Sequence, residues 1–275
     1  MQLAPRYGNQ AVLTMDPTFP RPDRALAAQR RRQEELFARF GPSHWSAGTR
    51  CDGWSVRDVV AHLVTVNRFW LASVRAGLAG EPTTMLDGFD PARHPAKLLA
   101  QLDDLDGPAV LDAYRATNDE LLRTVTDLPP AAWSRTAESP LGHVAVDRVI
   151  DHGLWDAWVH EHDIRLDHGL APAGEPDELA ACLRFAAAVG PAMAGLGIDG
   201  FTGTFVVDAT DLDRPFTVEV STSVAVFDRG AAPGTPTLRG DSVELIDALS
   251  LRRPLPADAP PEAEALVACL ATAFS

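Results

Sequence analysis

Between Asp151 and Arg165 the chain reads DHGLWDAWVHEHDIR, three histidines and four carboxylates set around two tryptophans. At 100° per residue, Ala145, Val149, His152, Asp156, Val159, His160 and Asp163 fall on one stripe of a helix. Asp156 and His160 stand one turn apart, a spacing that lets a carboxylate oxygen and an imidazole nitrogen reach the same ion. Two ligands on one helix do not close a site, so a third must come from elsewhere. His62 is the candidate, because Val59, His62, Leu63, Val66 and Phe69 share one apolar face and turn His62 inward. Two imidazoles and one carboxylate suit Zn²⁺, and Ni²⁺, Co²⁺, Mn²⁺ or Fe²⁺ are compatible by ligand type. Three protein ligands leave positions open, the arrangement of a catalytic rather than a structural metal. His152 reads as a fourth ligand, a hydrogen-bond partner of a ligand, or a catalytic base. His162 is expected on the outward, solvated side, and His44, His94, His143 and His168 at loops or helix ends.

These side chains need helices to hold them. The segment from Ser55 begins with a well-specified start: Ser55 as N-cap, Asp58 completing an acidic capping box, and Trp54 with Val59 as a hydrophobic staple. Amphipathic patterns predict helices over 23–40, 55–78, about 108–128 and about 143–166, four in all, which read as a four-helix bundle. The stretches 80–95 and 131–142 read as loops. After about residue 172 the pattern changes. An alanine-rich helix over about 178–196 precedes FTGTFVVDA, RPFTVEVS, SVAVFD and TPTLRG, which alternate or cluster β-branched and aromatic residues as strands do. DSVELIDALSL and PEAEALVACLATAF close the chain as helices. The fold class is therefore α+β: a helical bundle over 23–171, then a small α+β domain over 172–275. Residues 1–22 are expected as a mobile N-terminal extension.

Composition narrows the function. The chain has 275 residues, 46% hydrophobic and 23% charged, with a net charge of −14. That charge argues against nucleic acid as a partner, since phosphate contacts rely on clustered Lys and Arg. No run approaches the eighteen apolar residues of a membrane span, and the first residues lack the pattern of a secretory leader. Cys51, Cys182 and Cys269 are odd in number and far apart, which fits a reducing cytoplasm. Cys51 reads as an inert small side chain. The apolar faces are taken up within the chain, so the pattern does not set an oligomeric state.

HWSAGTRCDGWSVRDVVAHL followed by LWDAWVHEHDIR resembles the DinB-like metalloprotein superfamily and, within it, the mycothiol-dependent maleylpyruvate isomerase family. The resemblance extends over about residues 23 to 270. It implies a DinB-like four-helix bundle followed by a small C-terminal domain similar in shape to sterol carrier proteins. The family's metal ligands carry over onto His62, Asp156 and His160, with Asp156 standing where the isomerase has Glu. A C-terminal arginine that assists the isomerase carries over by motif onto Arg252, in SLRRPL. The resemblance further implies mycothiol as a thiol cosubstrate and a small electrophilic substrate. A metal-held thiolate beside an activated C=C bond gives cis–trans isomerisation, and beside an epoxide or leaving group gives S-transfer. The same site could activate water, as in a hydrolase or lyase, and the second domain's shape suggests a small-molecule carrier.

Overall fold

A computed structural model of the chain describes residues 5–8, 11–90, 93–194, 202–230 and 232–274. In chain order the elements are β1 Leu13–Met15, α1 Asp23–Phe37, α2 Pro42–Trp45, α3 Val56–Ala79, α4 His94–Leu99 with a 3₁₀ turn Ala100–Leu102, α5 Gly107–Val125 and α6 Pro130–Trp133. There follow β2 Thr136–Ser139, β3 Gly142–Ala145, α7 Val146–Asp167, α8 Pro176–Ala194, β4 Gly203–Ala209, β5 Phe216–Val220, β6 Val224–Phe227, β7 Thr237–Gly240, α9 Ser242–Leu249 and α10 Pro261–Phe274. The architecture mixes helix and sheet, as the sequence pattern anticipates.

Four long helices form the first layer: α3 packs on α5 and α7, and α1 packs on the same two partners. The start of α3 is fixed as its sequence predicts. Ser55 accepts from the Asp58 amide, and the Asp58 carboxylate accepts from the Ser55 amide at 3.0 Å. At its other end Gly80 adopts φ 86°, a left-handed C-cap that glycine takes without steric cost. Within α3, Gly77 lets the hairpin β2–β3 press against the helix, since a Cβ there would lie 2.4 Å from the Thr136 carbonyl oxygen.

The second layer is a five-stranded sheet in the order β1-β6-β5-β4-β7, antiparallel in its centre and parallel at both edges. Helix α8 covers β5 and β6 on one side and meets α7, α9 and α10. α7 is therefore enclosed by α1 and α3 from the first layer and by α8 from the second. One apolar core runs through both layers, from Leu26, Trp70 and Ile150 to Phe185, Val226 and Leu266.

Three expectations need correction. The described part of the N-terminal segment expected as a mobile extension belongs to the fold: β1 pairs in parallel with β6, and Val12 and Leu13 are buried. Ahead of it, Arg6 bridges to Gly142 of the hairpin. The stretch 131–142 is not loop but carries α6 and the β2–β3 hairpin, so α7 begins at Val146 rather than near His143. The long connection after α3 gains α4 and the 3₁₀ turn.

Candidate metal centre

Helices α3 and α7 bring the three predicted ligands together. His62 Nε2, Asp156 Oδ1 and His160 Nε2 lie within 4.8 Å of one another, with Asp156 Oδ1 at 3.9 Å from His62 and 3.8 Å from His160. The imidazole rings meet edge to face at 4.8 Å between centroids, and the Trp54 ring lies against both. Each of the three side chains keeps 12–18% of its surface exposed, so the cluster is reached from solvent.

The donor set fits a divalent ion. Tetrahedral ligands of Zn²⁺ at their usual bond lengths stand about 3.3 Å apart, so each imidazole would approach the Asp156 oxygen by about half an ångström to share an ion with it. His62 Nδ1 and Asp156 Oδ2 are buried with no hydrogen-bond partner among the described residues. Such orphaned polar atoms are costly unless the site holds something polar. Electrostatics agree. Burial pushes His62 below the ordinary imidazole value, against the opposing pull of Asp156, so it is a neutral donor at pH 7. Burial would raise the Asp156 pKa, but His62, His160 and His152 hold the carboxyl well below its usual range. His160 behaves oppositely. Burial pulls it down, yet Asp163, Cys51 and Asp156 override this and hold it up at about 10. The site is thus an Asp156–His160 ion pair, and an incoming cation would take the place of a proton.

The Nδ1 side of His160 is a different environment. Asp163 Oδ2 lies 3.3 Å from His160 Nδ1 and accepts from Cys51 Sγ at 3.1 Å. The same carboxylate accepts from Arg252 through Nε and Nη2, both at 3.0 Å, and from Arg50 Nε at 3.0 Å. Cys51, His160 and Asp163 also stand at ligand spacing. With two guanidiniums on the Asp163 carboxylate, that second group is a hydrogen-bonded shell rather than a cation site.

Other predicted residues fall further out. His152 is 5% exposed, packed among Trp70, Trp155 and Phe185, and outside the cluster of three. Its Nδ1 has no partner among the described residues, and burial lowers its pKa to about 4. Arg252 sits behind His160, committed to Asp163, not on the Nε2 side where the ligands converge. His162 is not solvated. It is buried, stacked on Trp158, and 3.3 Å from Asp247 of α9. Sequence reasoning missed the Cys51–Asp163–Arg252 set. Asp163 was on the ligand stripe of α7, but its cationic partners come from distant segments that no spacing reveals.

Two solved structures share the fold: the mycothiol-dependent maleylpyruvate isomerase, with TM-score 0.57, and a histidine-to-alanine mutant of it, with TM-score 0.56. Each is 15% identical and covers 84% of this chain and 88% of that chain, so the likeness is one of fold. No curated protein matches. Residues 26–165, about half the chain and all three converging side chains, match the family model of the mycothiol maleylpyruvate isomerase N-terminal domain, and the chain belongs to that family.

Proposed function

We propose that this chain is an enzyme using a divalent metal, Zn²⁺ by its donor set, and mycothiol to isomerise or S-conjugate a small electrophilic molecule. The carrying observation is the convergence of His62, Asp156 and His160 in a member of this family. When bound, metal and thiol together supply a thiolate at neutral pH, which can add to an activated double bond and leave after rotation, or remain as a conjugate.

The chain's own residues do the rest. His62 and His160 donate nitrogen from two helices, and Asp156 adds the negative charge that retains a dication. Trp54 walls one side of the cluster and limits water. Neutral His152, one turn before Asp156, would take and return a proton as the substrate gains and loses charge. Arg252, expected to assist catalysis, acts in this reading through Asp163. The packing of α1, α3, α5 and α7 supports reading residues 23–171 as a DinB-like four-helix bundle. Residues 172–275 are then the small α+β domain resembling sterol carrier proteins, with β1 added to its sheet. No helix among the described residues is long and apolar enough to cross a membrane, and a cytoplasmic enzyme is the matching proposal.

The test is metal content after purification without chelator, followed by turnover of an activated cis-olefin or epoxide with and without thiol. One metal per chain and thiol-dependent turnover, both lost in His62→Ala, are expected. Turnover without thiol makes the protein a hydrolase or lyase. Absence of bound metal, with wild-type behaviour in His62→Ala, makes it a carrier.

A further inference from the structure

We propose that Asp163 is the positioning residue of this centre: it fixes the His160 ring from its Nδ1 side and ties that ring, through Arg252, to the C-terminal part of the chain. The inference rests on the metal reading above and adds a residue to it.

An imidazole can turn about its outer torsion, which is broad and roughly two-fold, so a ligand His needs a partner on the nitrogen that does not face the metal. The two histidines of the cluster differ here. His62 Nδ1 has no partner among the described residues, whereas His160 Nδ1 faces Asp163 Oδ2 at 3.3 Å. Asp163 is fully buried and cannot move freely, because four groups hold it: the His160 ring, Cys51 Sγ, Arg252 and Arg50. Arg50 in turn grips Asp247 of α9 with two hydrogen bonds of 2.8 and 3.0 Å, and Asp247 lies 3.3 Å from His162. Arg252 follows α9 in the chain. The seating of α9 against the end of α7 therefore sets where the Asp163 carboxylate lies, and that carboxylate sets which nitrogen His160 presents to the ligand trio. A buried ion-pair cluster serving stability alone would hold α9 on α7 but leave metal binding unaltered.

Cobalt(II) titration of the full chain separates these roles, with affinity and the visible absorption spectrum as readouts. Asp163→Asn is expected to bind cobalt about 10- to 100-fold more weakly than wild type, with a changed spectrum. Arg252→Gln is expected to weaken binding in the same direction. Adding it to Asp163→Asn should cost nothing further, because Arg252 acts only through Asp163. Should Asp163→Asn fail to fold, Arg252→Gln alone carries the test, and unaltered affinity in it overturns the inference. Wild-type binding that Asp163→Asn leaves unchanged in affinity and spectrum overturns the positioning role while leaving the metal reading intact. A wild-type chain that takes up no cobalt sinks the metal reading and this inference together.

Discussion

In the proposed reading metal uptake at this centre is a proton exchange, and pH is the cleanest perturbation of it. In the metal-free protein His62 is neutral and Asp156 ionised, so neither has a proton to give up near neutrality. His160 holds one, with its pKa raised to about 10. At about pH 7.5 the ring is more than about 99% protonated, and binding a cation through Nε2 should release close to one proton. Apparent affinity then rises about tenfold per pH unit up to about pH 10. An imidazole of ordinary pKa would give a flat profile above about pH 7.5, so the interval from about 7.5 to 9 decides: about 30-fold against no change. Folding stability of the metal-free chain runs the other way. Because the folded pKa lies above the unfolded one, the Asp163–His160 contribution is fully present below about pH 6.5 and is lost as pH rises through about 10. Calorimetry in two buffers of different ionisation enthalpy counts the released protons, and competition with a chelator gives the affinities. Release of fewer than about 0.2 protons at pH 7.5, or an affinity flat from there upward, would refute the reasoning.

Three further outcomes follow from the same geometry. His152→Phe places an apolar ring among Trp70, Trp155 and Phe185 and removes a buried nitrogen without a partner, so stability at pH 7 should hold or rise while turnover falls. With its folded pKa lowered to about 4, wild-type His152 loses about 3 kcal/mol of stability as pH falls from about 6.5 towards 4, and denaturation profiles of His152→Phe should lack that loss. Gly77→Ala forces a Cβ to 2.4 Å from the Thr136 oxygen and 2.8 Å from Ala137 Cβ. It should cost about 1–3 kcal/mol in urea unfolding, and a change below about 0.5 kcal/mol contradicts the close packing of hairpin and helix. Glu138→Ala strips the acceptor from Tyr7 Oη, Thr83 Oγ1 and the amides of Met85 and Leu86. A loss of about 3 kcal/mol or more is expected, with faster proteolysis ahead of β1; intact resistance to protease would count against it.

The parts of this fold that local chemistry dictates were readable in the sequence, and those made by distant pairing were not. Ser55 and Asp58 announce the start of α3 because the capping contacts span three residues. His62, Asp156 and His160 are legible as a converging trio because two of them stand one turn apart on α7 and the third lies on the inward stripe of α3. β1 is only three residues long and is ordered by pairing with β6, more than two hundred positions away. The β2–β3 hairpin hid because one of its fully buried side chains is Glu138, a carboxylate satisfied by a tyrosine and a loop that no periodicity registers. His162 was placed in solvent on the assumption that α7 buries one face, whereas α8 and α9 cover the side that the other long helices leave open. Cys51 precedes a helix start, a position that says nothing about the carboxylate facing it from α7.

That enclosure of α7 explains how one helix serves as both core and site. Its charged residues Asp151, Glu161 and Asp163 are buried, and each meets an arginine: Arg148, then Arg32 with Arg165, then Arg50 with Arg252. Ion pairs at such depth are poor sources of net stability, since desolvation consumes much of their attraction. They do leave Asp156 and His160 on a helix that is buried over most of its length. In that setting a carboxylate a few ångströms from two imidazoles acts with far more force than it would at the surface. His62 and His160 have the same intrinsic basicity, yet they are pushed to opposite sides of neutrality. What separates them is which face of the ring meets a second carboxylate. Asp163 lies behind His160 on its Nδ1 side and, among the described residues, nothing comparable lies behind His62, so the proton that a metal would displace sits on the His160 ring, favoured there by a residue that the C-terminal part of the chain keeps in place.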